Sequence, residues 1–375
     1  MNLSYRYRLF TNANQERELA RAVETHRRMF NAFLDGKQLC WETEGVDWSR
    51  REQSKWLTIQ RRLNPHWSAV NRAAAEQTLR RLDRGYRAFY ARRKKGLPGR
   101  PPRFKGRDQF HSFTLVAEKM SDGWKRVGDK LRLQGIGTIR VKWHRPLPAD
   151  GEVKLLRIMR ENGKWFAVFV VDVPEPALTG NSKHVGIDVG LKSFVTTSDG
   201  ESLGDSRSLE RVLPELRRRQ RTLSRCKNGS SRRKQVKSRV TALHAKVRNT
   251  RKDLHRKVAK SLVDRYGVIA AESLNIQGML KNRRLARRIS DAGWYSFTQI
   301  LIGKAAIAGC KIVLVDPRNT SQECSSCGQI VRKSLAVRVH RCECGCVLDR
   351  DVNAAKNVAG RAARQGAKTD TLVLS

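Results

Sequence analysis

The chain has 375 residues, enough for two or three domains with cores of their own, and no apolar run approaches the ~20 residues that a membrane-spanning helix needs. Its 77 Lys and Arg against 35 Asp and Glu leave a net charge of +42, an imbalance that self-repulsion opposes and that a solvated surface does not call for. The simplest partner is a long polyanion. Nucleic acid fits best, because each neutralised phosphate releases condensed counterions. The opening MNLSYRYRLF lacks the apolar core of a signal peptide, so the chain is expected in the cytosol, where clustered cysteines imply metal rather than disulfides.

In chain order, YRYRLF alternates polar and apolar residues and predicts a first strand. The stretch from Thr11 to Leu34 has helical spacing, with Thr11 or Asn12 as its cap and Leu19, Val23, Phe30 and Phe33 as apolar positions. A second helical region is predicted from about Trp67 to Arg93, with Leu79, Leu82, Tyr86 and Phe89 on one side. It ends in RRKKGLPGRPPRFKGR, a basic Gly/Pro linker that cannot be helical. From about Phe110 to Val173 the pattern turns to strands. Glu161-Asn162-Gly163 joins two apolar runs as a hairpin, and Asp122-Gly123 reads as a second turn. A small β-barrel or curled sheet is expected here, closed by the linker PEPALTGNSK at 174–183.

The next segment, HVGIDVGLKSFVTTSDG, reads as strand, glycine turn, strand and turn. Residues 204–262 are strongly helical, with Val236, Val240, Leu243, Val247, Leu254 and Val258 on a heptad-like beat. Asn228-Gly229-Ser230-Ser231 interrupts them, which predicts two antiparallel helices. Between 211 and 260 there are 19 Lys or Arg and only Glu215 and Asp253 in opposition. Solvation alone explains charge but not charge of one sign, so this hairpin is expected to meet nucleic acid. VIAAES (268–273) and KIVLV (311–315) read as buried strands.

Five of the eight cysteines lie within 324–346. Cys324-x-x-Cys327 and Cys342-x-Cys344, with fourteen residues between the pairs, describe a zinc ribbon, with four thiolates around one structural ion. The second pair is shorter than the usual C-x-x-C, and Cys346 is left over as a possible substitute for Cys342 or Cys344. Three acids stand apart from the general charge pattern. Asp188 lies within a strand between Gly186 and Gly190, and points opposite to Val185, Ile187 and Val189. Glu272 ends the strand VIAA, where open α/β sheets place ligands. Asp351 opens the helix VNAAKN, whose stripe is Ala354, Ala355 and Val358, and an ordinary N-cap explains it equally well when it is taken singly. Taken together, the three suit magnesium, a hard ion that carboxylates hold and that takes phosphate oxygens. Two such ions roughly 4 Å apart activate water and stabilise a leaving oxygen.

GIDVGLKSFVTTSDG, VIAAESLNI and TSQECSSCG…LDRDVNAAKN resemble the three split RuvC motifs and zinc ribbon of the transposon-encoded TnpB (OrfB) family, relatives of type V CRISPR effectors. The likeness covers nearly the whole chain. It implies an RNase H-like RuvC nuclease domain at 181–375, containing the basic hairpin at about 204–262 and the inserted ribbon at about 320–348. It further implies an N-terminal wedge-type β-barrel from 1–10 and 105–180, with an inserted helical recognition module at 11–104. The fold class is therefore α/β plus β-barrel and helical parts. Asp188, Glu272 and Asp351 match the family's catalytic acids, which hold two magnesium ions, and Cys324, Cys327, Cys342 and Cys344 match its zinc ligands. The implied function is RNA-guided cleavage of double-stranded DNA in a prokaryotic cytoplasm at the nucleoid. The protein would act as a monomer or a dimer on one guide RNA transcribed from the transposon end. Two other readings are a strand-joining transposase and a guided DNA-binding regulator that does not cut; the three acids argue against the regulator, and the long basic hairpin with the barrel against the transposase.

Overall fold

Alternation in the opening residues produces strand β1 (Asn2–Phe10), which buries Tyr7 and Leu9. In the computed structural model, residues 1–366 are described apart from 117, 119, 120, 122, 205, 206, 208, 335 and 336. The chain divides into two units, Met1–Pro174 and Glu175–Ser375.

In the first unit the helices come next: α1 (Ala13–Glu44), α2 (Arg50–Leu63), α3 (Pro65–Ser68) and α4 (Arg72–Lys94). Asn12 caps α1 through a reciprocal pair with Gln15, which decides between the two caps the sequence offered. Helix α2 was not anticipated, although Ser49-x-x-Glu52 is the capping box that starts it. The helix expected from Trp67 starts later, because Asn71 accepts from the N–H groups of Ala73 and Ala74 and makes a fresh N-terminus there. Met29, Phe30, Phe33 and Leu34 of α1 pack with Leu57 of α2 and Leu79 and Leu82 of α4.

Six further strands follow: β2 (Ser112–Leu115), β3 (Trp124–Val127), β4 (Lys130–Leu133), β5 (Gly137–Lys142), β6 (Glu152–Glu161) and β7 (Lys164–Asp172). The sheet order is β2-β6-β7-β1-β5-β4-β3, with β1 antiparallel to both β7 and β5. Trp124 Nε1 donates to Val116 O at 2.6 Å, and Arg126 N to Glu118 Oε1 at 2.8 Å. These bonds draw the two edge strands together, so the sheet is nearly closed into a barrel around Tyr7, Trp124, Leu131, Leu156 and Phe169. Asn162 and Gly163, at φ 49° and 73°, make the two-residue turn expected between β6 and β7. Of the other expected turn, Asp122 lies outside the described residues.

The second unit is built on β8 (His184–Val189), β9 (Val195–Thr197), β10 (Ser202–Leu203), β11 (Val268–Glu272) and β12 (Lys311–Val315), in the order β10-β9-β8-β11-β12. Strands β8, β11 and β12 are parallel, while β9 and β10 run as an antiparallel meander. Between β10 and β11 stand α5 (Leu213–Arg225) and α6 (Ser231–Arg265). Their apolar seam includes Leu216, Val236 and Val240, and Arg233 closes the turn by donating to Leu223 O and Cys226 O. Then come α7 (Ile276–Met279), α8 (Ala286–Ala292) and α9 (Trp294–Ala308), and after β12 the short strands β13 (Val339–Arg341) and β14 (Val347–Asp349) and helix α10 (Arg350–Gly366).

Alternation along the parallel strands sorts their side chains onto two faces. Val185, Ile187, Ile269 and Ala271 pack against Val258 and Leu262 of α6 and Phe297 and Leu301 of α9. On the other face Ala270 meets Val358 and Ala362 of α10. No helix of the described residues is long and apolar enough to cross a membrane.

Candidate functional site

Ile187 of β8 lies opposite Ala271 of β11 in a parallel pair. One step further along both strands, alternation puts Asp188 and Glu272 on the α10 face, on main chains about one strand spacing of 4.8 Å apart. The third acid arrives because of a glycine. A Cβ on Gly186 would lie 2.0 Å from the carbonyl oxygen of Ala355 and 2.6 Å from Ala359 N, so α10 can lie this close to β8 only where no side chain intervenes. This contact fixes the first turn of α10 beyond the end of β8, where Asp351 Oδ2 sits 3.9 Å from the Cβ position of Gly190.

Asp351 is not the helix cap. Asp349 Oδ1 accepts from Asp351 N at 2.8 Å and Val352 N at 3.4 Å, which leaves the Asp351 carboxylate to other partners. Those partners are Arg350 Nη2 at 3.2 Å and Arg338 Nη1 at 3.7 Å. Glu272 Oε1 accepts the hydroxyl of Thr320. Burial raises its pKa, while Thr320 and the charge of Arg361 pull it the other way. Asp188 carries the largest shift. Burial, then the charges of Glu272 and Asp351, push its pKa up to about 8. Carboxylates buried close enough to raise one another are the condition that a hard divalent ion relieves, so these residues fit such an ion.

The cysteines are arranged differently. The sulfur atoms of Cys324, Cys327, Cys342 and Cys344 all lie within 4.8 Å of one another. Cys324 and Cys344 are 3.7 Å apart, and Cys327 and Cys342 are 3.5 Å apart. A tetrahedral ion with 2.3 Å zinc–sulfur bonds needs sulfurs about 3.8 Å apart, so the four thiols fit zinc. Burial alone would raise the Cys324 thiol, but N–H groups of Cys327 and Ser326 and the ring of His340 bring it down to about 5. Cys346 lies instead with Cys324 and the buried His340 in a second, overlapping set. It is a neighbour of the cluster rather than a member of the four.

Helix α10 also holds the root of the ribbon, through polar side chains spaced one turn apart. Asn353 Nδ2 donates to Glu323 O at 2.7 Å and its Oδ1 accepts from Ser325 N at 3.0 Å. Asn357 donates to Thr320 O and Glu323 O at 2.8 and 2.7 Å, and Arg361 donates to Asp316 O and Arg318 O at 2.8 and 2.7 Å. Sequence reasoning took this helix for an alanine stripe and missed Thr320, Asn353, Asn357 and Arg361. The available signal was two asparagines four apart inside a helix, a poor place for them unless their amides have work there.

Comparison with known proteins agrees with the motifs. A family described as "Probable transposase", the OrfB family of IS605-type elements, matches residues 168–283. "Cas12f1-like, TNB domain" matches 294–358, and "Helix-turn-helix domain" matches 1–45, a span that here holds β1 and the single long helix α1. A Streptomyces pristinaespiralis protein named "Putative RNA-guided DNA endonuclease" is 32% identical over 96% of this chain and 90% of its own length. An Escherichia coli K12 protein with the same description is 28% identical, covering 91% of this chain and 84% of that protein. The fold is similar to that in a Cas12f1–sgRNA–target DNA complex, with a TM-score of 0.54 at 15% identity over 96% of this chain and 98% of the other. It is also similar to a mini RNA-guided endonuclease, Cas-phi3, with a TM-score of 0.52 at 10% identity over 96% and 92%. One unit holding a nearly closed barrel and another holding a five-stranded sheet covered by helices on both faces together match the Cas12-like fold. Within that class the chain belongs to the TnpB (OrfB) family of transposon-encoded proteins.

Proposed function

We propose that this protein is an RNA-guided DNA endonuclease that cuts DNA phosphodiesters at a RuvC-type site formed by Asp188, Glu272 and Asp351. One observation carries the reading: Asp188, one residue before the end of β8, neighbours Glu272 at the end of the parallel strand β11, and Gly186 admits the helix whose first turn carries Asp351 toward Gly190, past the end of β8. The sheet order, with an antiparallel meander followed by two parallel strands, is that of an RNase H-like domain and supports assigning 181–375 to it. The residues 1–10 and 105–180 would form the wedge barrel and 11–104 the helical recognition module.

Magnesium, when bound, would supply the activated water and stabilise the leaving oxygen. The protein's own part is to hold the carboxylates. Asp188 and Glu272 are fixed by the sheet, and Asp351 by the first turn of α10. Arg338 and Arg350 balance Asp351 and lie where a phosphate backbone would be drawn in. Zinc would keep the ribbon folded and its root seated on α10. Guide RNA would lie on the basic surfaces, foremost the hairpin α5–α6, where Arg218, Arg221, Arg225, Lys227 and Arg232 surround a hollow near the turn. Base pairing would read the target, and one site would cut both strands in turn. The chain would act as a monomer or dimer on one RNA, in the cytoplasm of a prokaryote at its nucleoid.

The test is to purify the protein from its native locus and sequence the RNA that accompanies it. A defined RNA from the transposon end, followed by magnesium-dependent cutting of matched DNA, is the expected result. Joining of transposon-end DNA without RNA would establish a transposase instead. Guided binding without cutting would establish a regulator.

A further inference from the structure

We propose that Thr320 is a positioning residue for Glu272, and that through it the zinc ribbon's root sets the hard-metal site. The inference rests on the reading of Glu272 as a metal ligand. Thr320 is buried, and its hydroxyl lies between two acceptors, Glu272 Oε1 and Pro317 O at 3.1 Å. One hydroxyl carries one proton, and the carboxylate is the stronger acceptor. That bond fixes Oε1 and the rotation of the carboxyl plane, leaving Oε2 to face a metal. Outer partners of this kind orient ligating carboxylates.

Thr320 is itself held from the far side. Its carbonyl accepts Asn357 Nδ2 at 2.8 Å, and the residues that follow it run directly into the first knuckle, where Asn353 grips Glu323 O and Ser325 N. The backbone O of Asn319 accepts from Gln322 and Glu323, and Cys324 N donates to Gln329 O, so the path from Thr320 to the buried Cys324 is a continuous folded turn. Asn319 takes a positive φ of 57° to begin that turn. An ion on the four sulfurs therefore holds one end of a five-residue segment whose other end orients Glu272. The helix that carries Asp351 holds the middle.

The experiment measures manganese(II) binding to the full zinc-loaded chain by electron paramagnetic resonance, alongside magnesium-dependent cleavage and zinc content. Thr320→Val keeps the shape and removes the proton. It is expected to weaken manganese binding by about 10- to 100-fold with zinc content unchanged. Thr320→Ser, which restores the hydroxyl, is expected to bind manganese within a few-fold of the parent. If Thr320→Val loses zinc or fails to fold, Thr320→Ala against Thr320→Ser makes the same comparison without added bulk. Glu272→Gln separates the two readings. Manganese binding lost in Glu272→Gln but unchanged in Thr320→Val overturns the positioning role alone, whereas binding unchanged in Glu272→Gln overturns the metal-ligand reading beneath it.

Discussion

The cysteine cluster and the carboxylate cluster lie in one unit, and each suits a metal, but the chain builds them in opposite ways. Four cysteines within 324–344 come from two tight turns, and their sulfurs are already within 4.8 Å of one another. Among the described residues, only this cluster and the overlapping set with His340 and Cys346 bring three such donor atoms so close. The acids come from 188, 272 and 351, and their oxygens are not gathered to that degree. The thiols can pack together before an ion arrives, because N–H groups and the ring of His340 already support a thiolate at Cys324. Carboxylates repel, and here burial and mutual charge keep Asp188 protonated up to about pH 8, while Arg338 and Arg350 draw Asp351 to their side. One site is closed and completed by local turns. The other is carried by a sheet and a helix that keep its oxygens further apart, which suits the proposed site for hard ions.

The comparison breaks most visibly at Asp188. Asp188→Ala is expected to reduce cleavage by about a thousandfold or more while RNA binding stays within a few-fold, measured by plasmid cutting and filter binding. Cys324→Ser is expected to lose the zinc and to cost cleavage about 10- to 100-fold through the ribbon's root; full zinc content in that variant would remove Cys324 from the ligand set. Gly186→Ala tests the close approach that joins the two regions. The added methyl has no room against Ala355 O, so an unfolding titration should show a loss of about 1–3 kcal/mol, and cutting should fall with it as Asp351 is displaced.

A smaller effect sharpens the electrostatic half of the contrast. Without divalent ions, folded Asp188 keeps a proton that the unfolded chain gives up near its ordinary value of 3.8. Asp188 therefore lowers stability progressively as pH rises from about 4 to about 8, and no further above that. Asp188→Asn should remove this component, so that the variant gains on wild type across that window. Identical pH profiles would show that the carboxyl is not strained by its surroundings. Cys346→Ser should do least, leaving one zinc per chain.

Much of this was legible in the residues because the signals were local. The Asn162-Gly163 turn, the interrupted basic hairpin and the C-x-x-C knuckle are each decided within a few positions. The faces of VGIDVG were also readable, since alternation alone separates Asp188 from Ile187. What escaped depends on tertiary contact. Whether Asp351 or Asp349 caps α10 is settled by where the chain leaves β14, and both are acids in the same tripeptide. Thr320 looked like ribbon sequence because its partner is 48 residues away on another element. The start of α4 slipped from Trp67 to Arg72 because Asn71 outcompeted an apolar period that Trp67 also satisfies.

The central claim is that three distant carboxylates act as one site distinct from the zinc. It is tested most directly by cutting a plasmid matched to the co-purified RNA in magnesium, comparing wild type with Asp188→Ala, Glu272→Ala and Asp351→Ala, with RNA and zinc measured in each preparation. The expected result is that all three variants keep RNA and one zinc yet leave the plasmid intact. Undiminished cutting by any one of them would contradict the claim for that residue, and undiminished cutting by all three would place the chemistry elsewhere in the molecule.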